Sequence, residues 1–238
     1  MTGAVENLLA WRALATPDEL IAGREWYAEA GRFVRHLQRA HGTRYSRAQI
    51  AAVVATLSPN CAWVDNKSAA ESLLRAHATN PEAALDASYP GVYSQNVRKA
   101  VAILDGPRVP LVCDGTRIGA RGTRVKCSGE THGCYAHLHG PKVAEFYRTI
   151  LGDLEGRTMD VWATRAADIH PEEDDLSLGP DDPRRAGNPS GRMHDLQSAY
   201  SAAAAIIGEH PAHLQAQVWL AIRRIWRRAD GRRNGARN

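Results

Sequence analysis

The sequence predicts a mainly all-α protein with two helical subdomains and one small irregular or β-hairpin insertion. Apolar residues recur every three or four positions over several segments, and capping residues precede these segments. Glycine and threonine are instead concentrated between residues 105 and 136. A content of 44% hydrophobic and 24% charged residues is typical of a globular chain, and 238 residues are enough to bury a core.

Capping signals mark the helices predicted in the first half of the chain. Residues 16–19 form a capping box with proline at the first helical position, and Gly42 ends the helix that they begin. Ser46 with Gln49 begins a second helix, which stops at residues 58–59. Three further helices are expected to begin near Trp63, Pro81 and Ser94.

The second half of the chain interrupts this helical pattern twice. Residues 105–136 are predicted to be an insertion in which 116–118 and 123–126 pair as a small hairpin. Residues 168–190 are rich in Pro, Asp and Gly and lack periodicity, which predicts a long surface loop. The helices expected around these two segments cover residues 142–151, 160–167, 191–208 and 211–228.

The positive charge is concentrated at the C-terminal end. Seven arginines and one aspartate lie between Arg223 and Asn238, whereas the rest of the chain has a net charge of −2. Arginine pairs with phosphates in a bidentate manner, so a basic tail over residues 229–238 is either a solvated end or a nucleic-acid contact. The arginines expected to contact DNA just before this tail are Arg223, Arg224, Arg227 and Arg228.

Neither a membrane segment nor a cofactor is expected. No run of 18 apolar residues occurs, and residues 1–15 lack the pattern of a secretory signal, so a cytoplasmic protein is predicted. A structural zinc ion at Cys113, Cys127 and Cys134 is the alternative to a metal-free insertion. These cysteines form no Cys-x-x-Cys pair, which favours the metal-free interpretation.

One tight turn leads into a predicted helix that carries a lysine. Backbone N–H groups at the start of a helix favour an anion, so a phosphate could bind after residues 138–140. Asp160 follows Lys142 by eighteen residues and begins the next helix. Taken singly, Asp160 is interpreted as a helix cap and Lys142 as a solvated lysine.

Taken together, residues 140–145 and Asp160 resemble the DNA glycosylases of the helix-hairpin-helix superfamily. Residues 57–60 resemble the segment of that family that fills the gap left by a flipped base, and residues 91–104 resemble the helix before its hairpin. The similarity spans about residues 46–167, in the order of the family.

The resemblance implies one such domain over residues 1–238, a monomer that acts on double-stranded DNA in a bacterial or phage-infected cell. It implies that the carboxylate of Asp160 supports cleavage of an N-glycosidic bond and that Lys142 attacks the sugar. The residues that it implies for DNA contact are Gly140, Pro141 and Asn60. The side chains expected to line the base pocket are those of Trp63 and Trp162.

Three departures from the family pattern accompany the resemblance. Leu138 stands where the first hairpin glycine is usual, and Trp162 stands where a histidine is frequent. The four-cysteine set that holds an iron–sulfur cluster in some members is missing from the sequence, so no cluster is predicted.

Three functions stay open on the sequence alone. The first is a glycosylase that removes a damaged or modified base. The second is a phage transferase that attaches an amino acid or amine to an activated thymine-derived base in DNA. The third is a non-catalytic DNA-binding module that keeps only the fold.

Overall fold

The computed structural model describes residues 2–109, 112–113, 116–118, 124–126, 138–172 and 192–235; the side chains of residues 2, 112–113, 116–118, 124–126, 139, 141 and 227–235 are not described. This part of the chain is mainly helical, which confirms the predicted fold class. Its helices are α1 (Thr2–Ala13), α2 (Pro17–His41), α3 (Arg47–Leu57), α4 (Trp63–Thr79), α5 (Pro81–Asp86), α6 (Ser94–Asp105), α7 (Pro141–Leu151), α8 (Val161–Asp168), α9 (Met193–Ile206) and α10 (Pro211–Gly235). Its strands are β1 (Val112–Cys113), β2 (Thr116–Ile118), β3 (Arg124–Lys126) and β4 (Leu138–His139).

The two predicted capping boxes are confirmed by their hydrogen bonds. The Thr16 backbone N–H donates to Glu19 Oε2 at 2.9 Å, and the Glu19 N–H donates to Thr16 Oγ1 at 3.2 Å. At the start of α3, the Ser46 N–H donates to Gln49 Oε1 at 3.1 Å and the Gln49 N–H donates to Ser46 Oγ at 3.0 Å. Each box satisfies two backbone donors that the first helical turn leaves unpaired.

The chain divides into two compact units. The terminal unit consists of residues 1–28 and 153–238, and the central unit of residues 29–152. In the terminal unit, α1 packs against α8, α9 and α10. Its core is apolar and is built around Leu8, Trp11, Tyr200, Leu214 and Trp226.

Helix α3 forms the centre of the central unit. Every residue from Gln49 to Leu57 is buried, and α3 packs against α4, α6 and α7. Neighbouring helices bury α3 on all sides, and its residues are therefore mostly apolar. The buried Gln49 amide donates to the carbonyls of Ile103 and Leu104 at 3.2 and 3.1 Å and so joins α3 to the end of α6.

The strands of the insertion form two small ladders. Strands β2 and β3 pair in antiparallel fashion, with Arg117 opposite Val125, which confirms the hairpin predicted for this segment. Strands β1 and β4 pair in parallel, with Val112 opposite Leu138, and this pairing was not predicted. It fixes the chain immediately before α7.

Several predicted boundaries differ from those of the structure. Helix α10 continues to Gly235, so the backbone of the basic segment 229–235 is helical. The predicted loop 168–190 begins within α8, which extends to Asp168, and most of it lies outside the described residues. In the part of the chain that the structure describes, no helix has both the length and the apolar character needed to cross a membrane.

Candidate functional site

The predicted hairpin turn has a backbone conformation that requires glycine. Gly140 is the N-cap residue of α7 and has φ +95° and ψ 146°, outside the regions that L-residues adopt. A Cβ atom at this position would meet nothing within 4 Å, so conformation rather than space selects glycine. Pro141 occupies the first turn and has no N–H to satisfy.

The first turn of α7 presents backbone donors beside a lysine. The Ala144 N–H donates to the Gly140 carbonyl at 3.0 Å, and no side chain caps the helix. The N–H groups of Lys142 and Val143 therefore lie at an uncapped helix start, the arrangement that suits an anion. The Lys142 side chain is half-buried within this turn.

An aromatic cluster packs one turn further along α7. The Trp63 ring lies edge-on to those of Phe33 and Phe146, with centroids 6.0 and 6.5 Å apart. Phe146 follows Lys142 by four residues and so shares its side of the helix. Trp63 is half-buried, and the ammonium of Lys67 lies 5.5 Å from its centroid. Trp63 is thus a packed side chain that keeps part of its surface accessible.

The loop between α3 and α4 contains an exposed asparagine at its centre. Asn60 has φ +56°, a left-handed conformation that asparagine tolerates better than most residues. Its Nδ2 donates to the Tyr93 hydroxyl at 2.7 Å, although both side chains are exposed. Tyr93, the N-cap residue of α6, makes no side-chain capping bond and is 49% exposed.

The sequence pattern did not single out Tyr93. Helix α6 begins at Ser94, where a helix start was expected, and Tyr93 is its N-cap residue. The sequence signal for Tyr93 is an aromatic residue directly before a helix start. The structure adds that this side chain is exposed. The pair formed by Asn60 and Tyr93 is called the loop tip below.

Asp160 is the N-cap residue of α8, as predicted. Its Oδ1 accepts the Ala163 N–H at 2.8 Å, and the side chain is half-buried. Tyr200 lies close enough to sense its charge: burial, and next the Asp160 carboxylate, raise the pKa of the phenol well above its usual value. The Tyr200 hydroxyl donates to the Ala163 carbonyl at 3.1 Å. A carboxylate is thus held in one orientation at a helix start.

Trp162 packs into the terminal unit. Its ring lies 5.9 Å from that of Trp226 in an edge-on arrangement, and it contacts the apolar core. The guanidinium of buried Arg165 lies 3.9 Å from the Trp226 centroid and 5.9 Å from that of Trp162. Packing accounts for this position, and the expected pocket role stays a prediction.

The predicted DNA-contacting arginines differ in their surroundings. Arg224 is held within the terminal unit, because its Nε donates to Glu19 Oε1 at 2.8 Å and its Nη2 donates to the Leu14 carbonyl at 2.6 Å. The Arg223 guanidinium lies 4.5 Å from the Trp219 centroid. Arg227 and Arg228 belong to α10, but their side chains lie outside the described residues.

Charge is divided unequally between the two units. The central unit has sixteen Lys and Arg against nine Asp and Glu, a net charge of +7. The terminal unit has a net charge of −3 even though its last sixteen residues contribute +6. The central unit therefore carries the positive charge that a polyanion would meet.

The predicted site residues fall into two groups. The central unit holds Asn60, Trp63, Gly140, Pro141 and Lys142, and the terminal unit holds the remainder, including Asp160.

No metal site is found in the described part of the chain, where no three His, Cys, Asp or Glu side chains cluster. The predicted alternative ligands Cys127 and Cys134, and the side chain of Cys113, lie outside it.

Comparison with known proteins identifies the family to which the chain belongs. The family model described as "Family of unknown function (DUF7178)" matches residues 1–226, so the chain belongs to that family. No curated protein and no solved structure matches the chain.

Proposed function

We propose that this member of the DUF7178 family is a DNA-base-processing enzyme of the helix-hairpin-helix type. Its simplest activity is that of a glycosylase, which flips a modified or damaged base out of duplex DNA and cleaves the N-glycosidic bond. The observation that carries the proposal is the start of α7, where positive-φ Gly140, Pro141 and Lys142 form an uncapped helix start in a unit of net charge +7.

The turn before α7 supports binding to the DNA backbone. A phosphate there would accept hydrogen bonds from the Lys142 and Val143 N–H groups and would be favoured by the helix dipole. This contact is independent of base sequence, and the positive charge of the central unit adds to it. The turn thus fixes the enzyme on the duplex without selecting the base.

The loop tip supports base flipping. A base that leaves the stack leaves a gap, and flipping enzymes fill it with a protruding side chain. Asn60 is exposed in the loop, and its side chain is held by a hydrogen bond to Tyr93 at 2.7 Å. A side chain held in place before binding loses less entropy when it enters the gap.

Two side chains would perform the chemistry. Cleavage of the N-glycosidic bond places positive charge on the sugar, which the Asp160 carboxylate stabilises. If Lys142 is the nucleophile, its neutral amine forms a bond to C1′ as the bond to the base breaks, and the base leaves with the bonding electron pair. Loss of the amine proton and opening of the sugar ring then give a Schiff base. If water attacks instead, Lys142 contributes only to DNA binding.

Mass spectrometry of bases and nucleosides tests the proposal. The protein is incubated with duplexes that carry damaged or hypermodified bases, and Asp160→Asn and Asp195→Asn are compared with the wild type. Asp195 is a matched control, since it is an exposed acid in the first turn of α9. A free base released by the wild type and by Asp195→Asn, but not by Asp160→Asn, supports a glycosylase.

The other outcomes separate the remaining functions. A nucleoside that gains mass when amino acids or amines are supplied identifies a transferase and overturns the glycosylase. Binding of every duplex without any chemical change, in the wild type as in Asp160→Asn, identifies a DNA-binding module. A Schiff base trapped by borohydride in the wild type but not in Lys142→Gln assigns the nucleophile.

A further inference from the structure

A small pocket lies on α4 of the central unit. It has a volume of about 90 Å³ and is lined on the helix by residues at positions i, i+3, i+4 and i+7, which share one face. The lining residues are Asp65, Ser68, Ala69, Ser72, Ser88, Tyr89 and Pro90. One carboxylate and three serine hydroxyl groups thus border a pocket whose buried members, Ala69 and Tyr89, are largely apolar.

The carboxylate in this pocket has no cationic partner among the described residues. Lys67 is the nearest lysine along α4, but its Nζ lies 3.6 Å from Glu29 Oε1 and over the Trp63 ring. No described ion pair or hydrogen bond involves the Asp65 side chain. An acid in the first turn of a helix is stabilised by the helix dipole, which accounts for a surface carboxylate but not for three hydroxyls around it.

The chemistry of the lining selects a small cation that donates hydrogen bonds. A phosphate is disfavoured because Asp65 would repel it, whereas an ammonium group pairs with a carboxylate and donates three hydrogen bonds. Serine hydroxyls accept such bonds, and an aromatic ring attracts a cation. The Tyr89 hydroxyl donates its proton to the Ala84 carbonyl at 3.1 Å, so its oxygen is left to accept.

We infer that this pocket binds the ammonium group of a small aliphatic amine. The volume admits several water molecules, and hence an ammonium group with its first methylenes. Pro90 is followed by Gly91, which lies beside the Cys61 sulfur, and by Tyr93 of the loop tip. An amine held here would therefore lie next to the loop that we propose enters the DNA stack.

This inference extends the proposed function by adding a small-molecule ligand beside the loop tip, and it rests on the loop tip facing DNA only for its biological purpose. The binding itself requires no DNA. Its test is therefore separate from that of base release.

Titration of the full-length protein with 1,4-diaminobutane, followed by ¹H–¹⁵N NMR, tests the inference. We expect saturable shifts in the amide signals of residues 65–72 and 88–90. Replacing Asp65 by Asn removes a charge-assisted hydrogen bond and should weaken binding by roughly tenfold or more. Asp86→Asn is the matched control, because Asp86 is exposed on α5 and does not line the pocket.

The controls identify what the pocket recognises. 1,4-Butanediol, which has the same length without charge, should produce no shifts at these positions. Equal shifts with potassium chloride would identify a general cation site, and unchanged affinity in Asp65→Asn would exclude the carboxylate; either result overturns the inference. Failure of the amine to bind while the enzyme still releases a base would overturn this inference and leave the proposed function intact.

Discussion

Replacing Gly140 by alanine tests whether the turn before α7 binds DNA. At φ +95° and ψ 146° an L-residue is strained, which costs about 1–3 kcal/mol. Because a Cβ atom at Gly140 would meet nothing within 4 Å, no steric clash adds to this cost. The variant relieves this strain by moving the turn, which shifts the N–H groups of Lys142 and Val143 away from the phosphate.

Gly152→Ala is the matched control at the other end of α7. Gly152 also has a positive φ, +113°, and a Cβ atom there would likewise meet nothing within 4 Å. Urea unfolding should show a loss of about 1–3 kcal/mol in each variant. Fluorescence anisotropy with a labelled duplex should show roughly tenfold or greater weakening in Gly140→Ala alone, the effect of losing one charge-assisted bond. Equal DNA affinity in both variants would refute the phosphate contact.

Three further predictions concern stability and charge. Burial raises the pKa of Glu209, but the hydrogen bond and charge of Arg24 outweigh burial, so its pKa lies below the usual 4.5. Wild type should therefore exceed Glu209→Gln in unfolding free energy at neutral pH, and this difference should shrink as the pH falls below 4.5; a constant difference would contradict the ion pair. Asp160→Ala should lose about 1 kcal/mol in urea unfolding through the lost cap, whereas Asp160→Asn should keep wild-type stability; equal losses would show that the cap is not the cause. Removal of residues 229–238 should make the slope of log K for DNA binding against log salt concentration less negative by about 0.9 for each phosphate that this segment neutralises. Identical slopes with and without the segment would reject a role for it.

Local chemistry explains why most helix starts were predictable. The boxes at Thr16 and Ser46 and the cap at Asp160 depend on residues one to three positions apart, so the sequence contains the whole interaction. Helix α1 was not predicted, since its apolar residues are spread around the helix and its stability comes from packing on α8, α9 and α10. The pairing of β1 with β4 joins segments 26 residues apart and has no local signal.

The site residues too were predictable only where the interaction that positions them is local in sequence. The glycine at position 140 and the lysine beside it were predicted from a motif, because a turn that needs positive φ selects glycine. The partner of Arg224 is Glu19, some two hundred residues away, and no pattern in the sequence shows that this arginine is held within the fold. The pocket around Asp65 brings α4 together with residues 88–90, which only the tertiary structure reveals.

Single-turnover release of a free base from duplex DNA, by the wild type and by Asp160→Asn, tests the proposed function most directly. Asparagine keeps the cap of α8 and removes only the charge, so the two proteins should unfold at the same urea concentration and bind DNA equally. The account predicts that the wild type releases the base and that Asp160→Asn does so at least a hundredfold more slowly, in line with losing about 2.7 kcal/mol or more of transition-state stabilisation. Equal rates in the two proteins, or DNA binding without release of any base, would contradict it.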